Sequence, residues 1–255
     1  MTSERVVLLT SDCDFGRIAA SRLADTFTDL MVIVEEPISR LTLLKGRLRR
    51  LGVLRVAGQL AFMLLQRLQQ RMARERIAEI LRTARLKAEW PRGAALVRVT
   101  SVNSAECIAN IQQLKPQVIL VLGTRLIDRP VLTATDAPFI NYHAGITPKY
   151  RGVHGGYWAK AEGDLGNFGV TVHLVDDGID TGAVLYQTRI TPAARDSFST
   201  YPYLQVAAAL PLLEQAARDA AAGTLKPQPV DLPSRAWSHP TLWSYLSTGI
   251  RRGVW

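Results

Sequence analysis

The chain has little cysteine and no apolar run long enough to span a membrane. Cys13 and Cys107 are too few for a disulfide framework, so a reduced, cytoplasmic protein is expected. The longest apolar stretch, residues 56–65, is interrupted by Gly and Gln, whereas a membrane-spanning helix needs about 20 apolar residues. The N-terminus has no basic segment followed by an apolar run, so no signal peptide is expected.

Acidic residues are scarce in one long segment. The 255-residue chain has 31 Lys and Arg against 22 Asp and Glu, a net charge of +9. Between Arg40 and Glu89 there are thirteen Lys and Arg but only three Glu, so the remainder carries a net charge of −1. The basicity therefore belongs to this segment and not to the whole protein.

Apolar periodicity predicts an α/β fold. Residues 5–10 and 30–35 have the composition of buried strands, and residues 15–30 have helical spacing, an order typical of a parallel, Rossmann-like sheet. The later predicted elements are strands at 96–100, 117–122 and 137–140, helices at 104–114 and 203–222, a short helix or turn at 130–134, and a hairpin of 169–175 with 184–190. Ser104 is the expected N-cap of its helix.

Two segments depart from a minimal α/β plan. Residues 41–88 contain no Pro and few Gly, so two or more helices are expected between the second and third strands. Residues 224–255 hold three of the five tryptophans, which predicts a tail packed on the body with a short helix at 242–248. The expected division is a catalytic domain at 1–200 with a basic helical insertion at about 39–89, followed by a C-terminal helix and tail at 201–255.

A carboxamide, an imidazole and a carboxylate follow the predicted strand 137–140. Asn141 and His143 are two residues apart, so they project from the same face of a strand. A glycine-flanked acidic loop at 176–182 then supplies Asp180. An amide donor, a titratable ring and a carboxylate can together stabilise an oxyanion and move a proton. We therefore expect these three side chains to meet around one reactive carbon.

The order and spacing of these residues resemble the formyltransferase family that uses N10-formyltetrahydrofolate. Its signature is Asn-x-His at a strand end, Pro-x-x-x-Gly shortly after, and a downstream Asp-x-Gly. The matching residues are Asn141, His143, Pro148, Gly152, Asp180 and Gly182, together with His173 in the strand before the loop. The resemblance is good over residues 117–187 and weaker before them. It implies a Rossmann-like formyltransferase fold with N10-formyltetrahydrofolate as the formyl donor.

The resemblance also implies roles for individual residues. Asn141 donates to the oxyanion, His143 stabilises the developing charge and assists proton transfer, and Asp180 orients His143 or a water and receives the proton of the amine. The residues implied to hold the folate are Leu122, Gly123, Arg125, Leu126, Ile127, Asp176, Asp177, Gly178, Ile179 and Gly182. The alternative for this set is a hairpin turn and an ordinary strand-to-helix loop.

Histidines and carboxylates near the motif are also suitable metal ligands, namely His143, His173, Asp177 and Asp180. No compact His-x-x-x-His or Cys-x-x-Cys spacing accompanies them, and the family needs no metal, so none is expected. His173 is either a residue behind the site or a core histidine. His154 is expected on the surface, with contact to the substrate as the alternative, and His239 receives no role.

The loop at 11–16 lacks the glycines of a phosphate-binding cradle. Asp12 and Asp14 stand there, where carboxylates compete with a phosphate for the helix N-terminus. Glycinamide ribonucleotide is therefore a disfavoured acceptor. N-capping by one of the two carboxylates is expected, and contact with an acceptor's amine or hydroxyls is the alternative.

The favoured function is formyl transfer to the amine of a small acceptor, most simply an amino sugar on a nucleotide. Methionyl-tRNA is less favoured because the tRNA enzymes of the family carry a second, barrel-like domain, and only about 65 residues follow the hairpin here. Formylation of another amine such as an amino acid, hydrolysis of formyltetrahydrofolate by a deformylase, and a non-catalytic binding module remain open. Deformylases usually resemble the family with a regulatory domain in front, which is not expected here.

The basic helices at 41–88 allow several interpretations. They form a solvated layer on the body, dock as a peripheral element on the anionic inner membrane face, or bind a phosphate-bearing partner. Self-association through the apolar residues of the segment is also open. No specific nucleic acid partner is expected.

Overall fold

A seven-stranded sheet organises the computed structural model, which describes residues 4–93 and 95–255. In chain order the strands are β1 (Arg5–Ser11), β2 (Asp29–Glu35), β3 (Ala95–Val99), β4 (Val118–Leu122), β5 (Phe139–His143), β6 (Arg151–Gly152), β7 (Gly169–Leu174), β8 (Val184–Arg189) and β9 (Ala236–Trp237). The sheet has the order β3-β2-β1-β4-β5-β7-β8, and β6 pairs separately with β9. The pairs from β3 to β5 are parallel, and β7 and β8 are antiparallel additions. The predicted Rossmann-like, mostly parallel sheet is confirmed.

Helices cover both faces of the sheet. In chain order they are α1 (Asp14–Ala24), α2 (Arg40–Leu51), α3 (Val53–Met72), α4 (Arg74–Thr83), α5 (Ala105–Leu114), α6 (Arg129–Leu132), α7 (Gly155–Ala161), α8 (Tyr201–Ala221) and α9 (Leu242–Arg252). Alternate residues of β1 serve the two faces: Val6 and Leu8 pack with α1 and α8, whereas Val7 and Leu9 pack with α5. Strands buried on both faces are near-continuous apolar runs, which is why their positions could be read from the sequence.

Helix ends agree with the sequence at α5 but not at α1. The Ser104 side chain accepts from the N–H of Cys107, so the predicted N-cap is confirmed. The expected cap by Asp12 or Asp14 is wrong, because Cys13 occupies the N-cap position without a side-chain bond. The Asp12 carboxylate instead pairs with the guanidinium groups of Arg17, at 2.7 Å, and Arg98, at 3.1 Å.

The predicted site strand and its neighbours also differ in extent. Strand β5 covers 139–143 and not 137–140, so Asn141 and His143 lie within the strand. Helix α1 ends at Ala24, earlier than the helical spacing over 15–30 indicated, and α9 runs to Arg252, beyond the predicted 242–248. Three helices, α2, α3 and α4, lie between β2 and β3.

The C-terminal segment packs against α7 through aromatic rings. The indole of Trp237 stacks on Trp158 with ring centroids 4.7 Å apart. His154 Nε2 lies 2.9 Å from His239 Nδ1, and the His154 ring packs on Phe198. His154 is therefore half-buried under the tail and not on the open surface where it was expected. Within the described residues, no helix is long and apolar enough to cross a membrane.

A buried ion pair attaches α4 to the segment before α8. Arg76 Nε lies 2.8 Å from Asp196 Oδ1, and the side chain of Asp196 is only 1% exposed. Arg76→Leu would leave this carboxylate without its cation, so we expect the free energy of unfolding in urea to fall by about 3–5 kcal/mol. The matched control is Arg195→Leu, which removes an exposed ion pair with Glu79 and should leave the urea midpoint unchanged. Equal effects of the two substitutions would contradict this assignment.

The His154–His239 pair predicts acid-sensitive stability. Burial lowers the pKa of His154 to about 3 and that of His239 to about 4, below the ordinary value of 6.5. The unfolded chain therefore binds protons below pH 6.5 that the folded chain does not, and stability should fall between about pH 6.5 and pH 4. His239→Asn keeps a polar partner that does not titrate, so its urea midpoint should depend less on pH over this window. An unchanged pH dependence would exclude the pair as the cause.

Candidate active site

The site lies where β5 and β7 run side by side. The antiparallel register pairs Asn141 directly with His173, so both side chains project from the same face of the sheet. Asn141 Nδ2 lies 3.1 Å from His173 Nε2. His173 Nδ1 lies 2.8 Å from the carbonyl oxygen of Leu174, which can only accept, so this nitrogen carries a hydrogen. In the tautomer that carries its hydrogen on Nδ1, Nε2 is free to accept from the amide of Asn141.

Asp180 connects the side chains of the site. Its Oδ1 lies 3.5 Å from Asn141 Nδ2 and 3.6 Å from His173 Nε2. Its Oδ2 accepts from the N–H of Gly152 at 2.8 Å and lies 3.3 Å from His143 Nδ1. The expected meeting of Asn141, His143 and Asp180 is confirmed as geometry. The backbone of Asp180 is left-handed, with φ of 51°, a conformation that Asp tolerates better than most residues.

The protonation of this cluster follows from its burial and contacts. Burial lowers the pKa of His143, and the negative charge of Asp180 and the hydrogen bond to the carbonyl of Tyr150 oppose this shift only in part. Burial raises the pKa of Asp180, but its contacts with His173 and His143 and the hydrogen bond from the N–H of Gly152 outweigh it, and the net shift of this pKa is downward. The site therefore favours the carboxylate form of Asp180 and disfavours a positive charge on His143.

His143 lies behind the surface that a ligand would meet. Its side chain is 6% exposed, and its Nε2 donates to the carbonyl oxygen of Tyr150 at 2.6 Å. The residues of the cluster that line the adjacent cavity are Asn141, His173 and Asp180. The sequence left open whether His173 lies at the site or in the core. It does both, since its side chain is buried and also lines the cavity.

Asn141 retains one hydrogen for a ligand. One N–H of its amide faces His173 at 3.1 Å. The other is within 3.5 Å of Asp180, near the limit of a hydrogen bond, so a better acceptor can compete for it. The amide orientation is fixed by its neighbours, because the opposite orientation would place its oxygen against the carboxylate.

The cavity lies between the loop after β4 and the acidic loop before β8, and its volume is about 110 Å³. The sequence-predicted folate residues that line it are Gly123, Arg125, Leu126, Ile127, Asp176 and Gly178. The others in that set are not on its lining. Leu122 is in the core, Asp177 and Ile179 lie exposed on the acidic loop, and Gly182 packs against the backbone of Leu174.

Arg125 fixes the loop after β4 through Glu35, a buried residue that the sequence analysis missed. The backbone N–H of Arg125 donates to Glu35 Oε1 at 2.7 Å, and its Nε donates to Oε2 at 2.6 Å. Its Nη2 donates to the carbonyl of Glu36 at 2.9 Å. The guanidinium is thus held to protein groups through Nε and Nη2. The sequence does place Glu35 at the end of the apolar strand β2. A carboxylate buried at that position requires a partner, so a cation nearby could have been expected.

Gly152 is a second group whose contribution the sequence did not reveal. It matched the motif, but only the structure shows that its N–H supports the Asp180 carboxylate. Its φ is 92°, and a Cβ at this position would collide with the carbonyl of Trp237, so glycine is required here. Among residues 4–93 and 95–255, no group of three or more His, Cys, Asp or Glu could hold a metal ion.

Comparison with known proteins places these features in a family. The family described as formyl transferase matches residues 68–204, more than half of the chain. The methionyl-tRNA formyltransferase of Pelotomaculum thermopropionicum is 34% identical over 100 residues, which are 39% of this chain and 32% of the relative. That of Anaeromyxobacter dehalogenans is 30% identical over 152 residues, 58% of this chain and 48% of the relative. The matched part thus spans about a third to a half of these relatives.

Solved structures share the fold at low sequence identity. Glycinamide ribonucleotide transformylase 1 from Symbiobacterium toebii has a TM-score of 0.56 and 18% identity, covering 87% of this chain and 89% of its own. A sugar N-formyltransferase from Shewanella has a TM-score of 0.53 and 15% identity, covering 91% and 76%. At this identity the likeness shows the fold alone. Together with the match over residues 68–204, the fold and the ordered motif establish that this chain belongs to the formyl transferase family.

Proposed function

We propose that this protein transfers a formyl group from N10-formyltetrahydrofolate to the amine of an amino sugar carried on a nucleotide. The observation that carries the proposal is the cluster in which Asp180 joins Asn141, His143 and His173 beside a cavity. The family to which the chain belongs supports the transfer reaction. The acceptor is inferred from a second cavity, which is lined by three arginines.

Each residue of the cluster has a proposed role. Bound N10-formyltetrahydrofolate would supply the formyl group. The weakly held N–H of Asn141 donates to the oxygen that becomes negative, which typically accounts for about 10²–10³ in rate. His173 holds the amide of Asn141 in place. The Asp180 carboxylate would accept the proton of the attacking amine, and His143 Nδ1, 3.3 Å away, is placed to share it. As the new C–N bond to the amine forms and the formyl C–N10 bond breaks, that proton would pass to N10 of the folate, which leaves as tetrahydrofolate.

The first cavity fits one end of a folate. Pockets that enclose a whole ligand of that size have about 300–1,000 Å³, more than the volume of about 110 Å³ here. Gly123 and Gly178 let backbone approach a flat ring closely. Leu126 in the loop after β4 and Ile179 in the acidic loop have exposed side chains. These side chains would cover the part of the ring that lies outside the cavity.

A second cavity, about 470 Å³ in volume, suits a phosphate-bearing acceptor. It lies between α1, α3, α4 and α8, and its polar lining is Asp14, Arg67, Gln70, Arg71, Arg74 and Tyr203. Asp14 begins α1 directly after β1, so this cavity opens at the carboxyl edge of the parallel strands, as the first one does. In the described part of the chain, none of the three arginines forms an ion pair within 4.0 Å. Free guanidinium groups bind phosphate oxygens well, and Asp14 suits a hydroxyl or amine.

Methionyl-tRNA is the second candidate acceptor. The relatives of known sequence named above are methionyl-tRNA formyltransferases. The same arginines are able to contact an RNA phosphate. Because the matched part spans a minority of each relative, their acceptor does not transfer directly to this chain.

An acceptor panel tests the proposal. The protein is incubated with N10-formyltetrahydrofolate and nucleotide-linked amino sugars, methionyl-tRNA or no acceptor, and formylated product is measured by mass spectrometry. We expect product from an amino-sugar nucleotide, and Asn141→Ala should reduce kcat by about 10²–10³. Formylation of tRNA alone would overturn the acceptor, folate hydrolysis without an acceptor would indicate a deformylase, and absence of folate binding by calorimetry would remove the reaction itself.

The arginine cavity has its own prediction. Arg71→Gln should raise KM for the nucleotide-linked acceptor by about tenfold or more while changing kcat little, because a charge-assisted hydrogen bond contributes about 1.5–3 kcal/mol. Arg49→Gln, on the exposed side of α2, is the control and should change neither constant. Equal KM values for the two variants would show that the cavity does not hold the phosphate.

Substitution of Gly182 tests how sensitive the reaction rate is to the position of the loop that carries Asp180. A Cβ at Gly182 would collide with the backbone carbonyl of Leu174, so Gly182→Ala must displace the loop. We expect a loss of about 10² in kcat, since a small misplacement of a reacting group has effects of this size. Gly166→Ala has open space and should be active. Near-UV circular dichroism verifies that both variants are folded, and a folded Gly182→Ala with full activity would contradict the prediction.

A further inference from the structure

Helix α3 carries a second apolar face that nothing in the described structure covers. Its inner face buries Val56 and Phe62. On the outside, Val53, Leu60, Leu64 and Leu68 recur at intervals of seven, four and four residues, which places them on one stripe of the helix. Val53 is 72% exposed and Leu64 is 64% exposed. A helix packed on a soluble body normally has polar residues in these positions.

Helix α9 adds a second exposed apolar stripe. Trp243, Leu246 and Ile250 lie at i, i+3 and i+7, and Ile250 is 77% exposed. The two helices are in contact, because a Cβ on Gly58 of α3 would collide with the ring of Trp243. Trp243 also lines a cavity together with Leu54 and Arg55 at the start of α3.

Helix α2 supplies cations beside these stripes. Arg47 Nη1 lies 3.8 Å from Met63 Sδ, which places α2 alongside α3. Leu41 and Leu48 of α2 are also exposed. We call α2, the outer stripe of α3 and the outer stripe of α9 the basic apolar surface.

The charge of this region has one sign. Residues 37–74 contain nine Lys and Arg and no Asp or Glu. Within the described chain, none of the five cations Lys45, Arg47, Arg49, Arg50 and Arg55 forms an ion pair within 4.0 Å. An unpaired cationic surface attracts an anionic one.

Among the possible partners of this surface, an anionic lipid bilayer would both neutralise the cations and bury the exposed leucines. A symmetric contact with a second copy would place the same cations on both sides of the interface without a carboxylate from residues 37–74. Nucleic acid would neutralise the arginines, but its phosphates offer nothing to the stripes of α3 and α9. A bilayer interface accepts Leu and Trp among acyl chains and Arg at the headgroups.

We propose that the basic apolar surface docks on a membrane that contains anionic phospholipid, with α3 and α9 lying in the plane of the interface. Trp243 would lie at headgroup depth, where indole rings are favoured. The contact is peripheral. It goes beyond the proposed transfer reaction, and it would hold the two cavities near acceptors at the membrane surface.

Vesicle flotation with the full chain tests docking. Vesicles of phosphatidylglycerol with phosphatidylcholine are compared with phosphatidylcholine alone, at low and high salt. We expect at least about tenfold stronger partitioning onto the anionic vesicles at low salt, because each basic residue near the surface adds to the attraction. Brominated lipid should quench tryptophan fluorescence, and the Trp243→Phe variant should lose part of that quenching.

Paired variants separate the apolar from the electrostatic contribution. Leu64→Ser with Ile250→Ser should reduce partitioning at least about tenfold, and Arg49→Gln with Arg50→Gln should weaken the preference for anionic lipid. The matched control is Leu165→Ser with Lys226→Gln, an exposed pair outside the surface, which should bind as the unmodified chain does. Circular dichroism and activity on a soluble acceptor establish that the variants are intact.

Several results would overturn the proposal. These are no partitioning at low salt, equal partitioning onto neutral vesicles, or identical behaviour of the surface and control variants. Self-association in sedimentation velocity that Leu64→Ser and Ile250→Ser abolish, without vesicle binding, would assign the surface to a second copy. RNA binding lost in the arginine variants, without vesicle binding, would assign it to nucleic acid. Docking is measured without turnover, so its failure is distinct from failure of the transfer reaction.

Discussion

The site depends on one buried carboxylate. Asp180 is held by the N–H of Gly152 and faces His143, His173 and Asn141, which come from two antiparallel strands. The side chain of Asp180 is only 13% exposed, and a carboxylate so largely buried is stable as an anion only where hydrogen-bond donors surround it. The loop that carries it is left-handed at Asp180, and a glycine at 182 lets the loop pass close to Leu174. The chemistry we propose therefore rests on a structural contact as much as on a reactive group.

The sheet and the loops around the site are connected by a second buried charge. Glu35 ends β2, two strands away from β4, and it holds the backbone and guanidinium of Arg125 in the loop that lines the first cavity. The edge of a parallel sheet is where such loops converge, and the switch to antiparallel pairing at β7 brings the acidic loop to the same place.

The helices between β2 and β3 border both the second cavity and the basic apolar surface. Their inner residues join the body, since Ile80 packs in the main core and Arg76 pairs with Asp196. The arginines at the end of α3 border the acceptor cavity, whereas those of α2 and the start of α3 lie beside exposed leucines. One basic segment therefore offers two different surfaces, one suited to a small phosphate-bearing acceptor and the other to a lipid interface.

By itself, the sequence determined the fold class, the family motif and the segment that carries the positive charge, because buried strands are continuous apolar runs and the motif residues have fixed spacing. It did not determine that Cys13 and not an aspartate occupies the N-cap of α1, that His154 is covered by the tail, or that Arg125 turns to Glu35. Only the tertiary structure decided these points, because each depends on a partner more than 80 positions away or on competing ion pairs, and local propensity carries no information about such contacts.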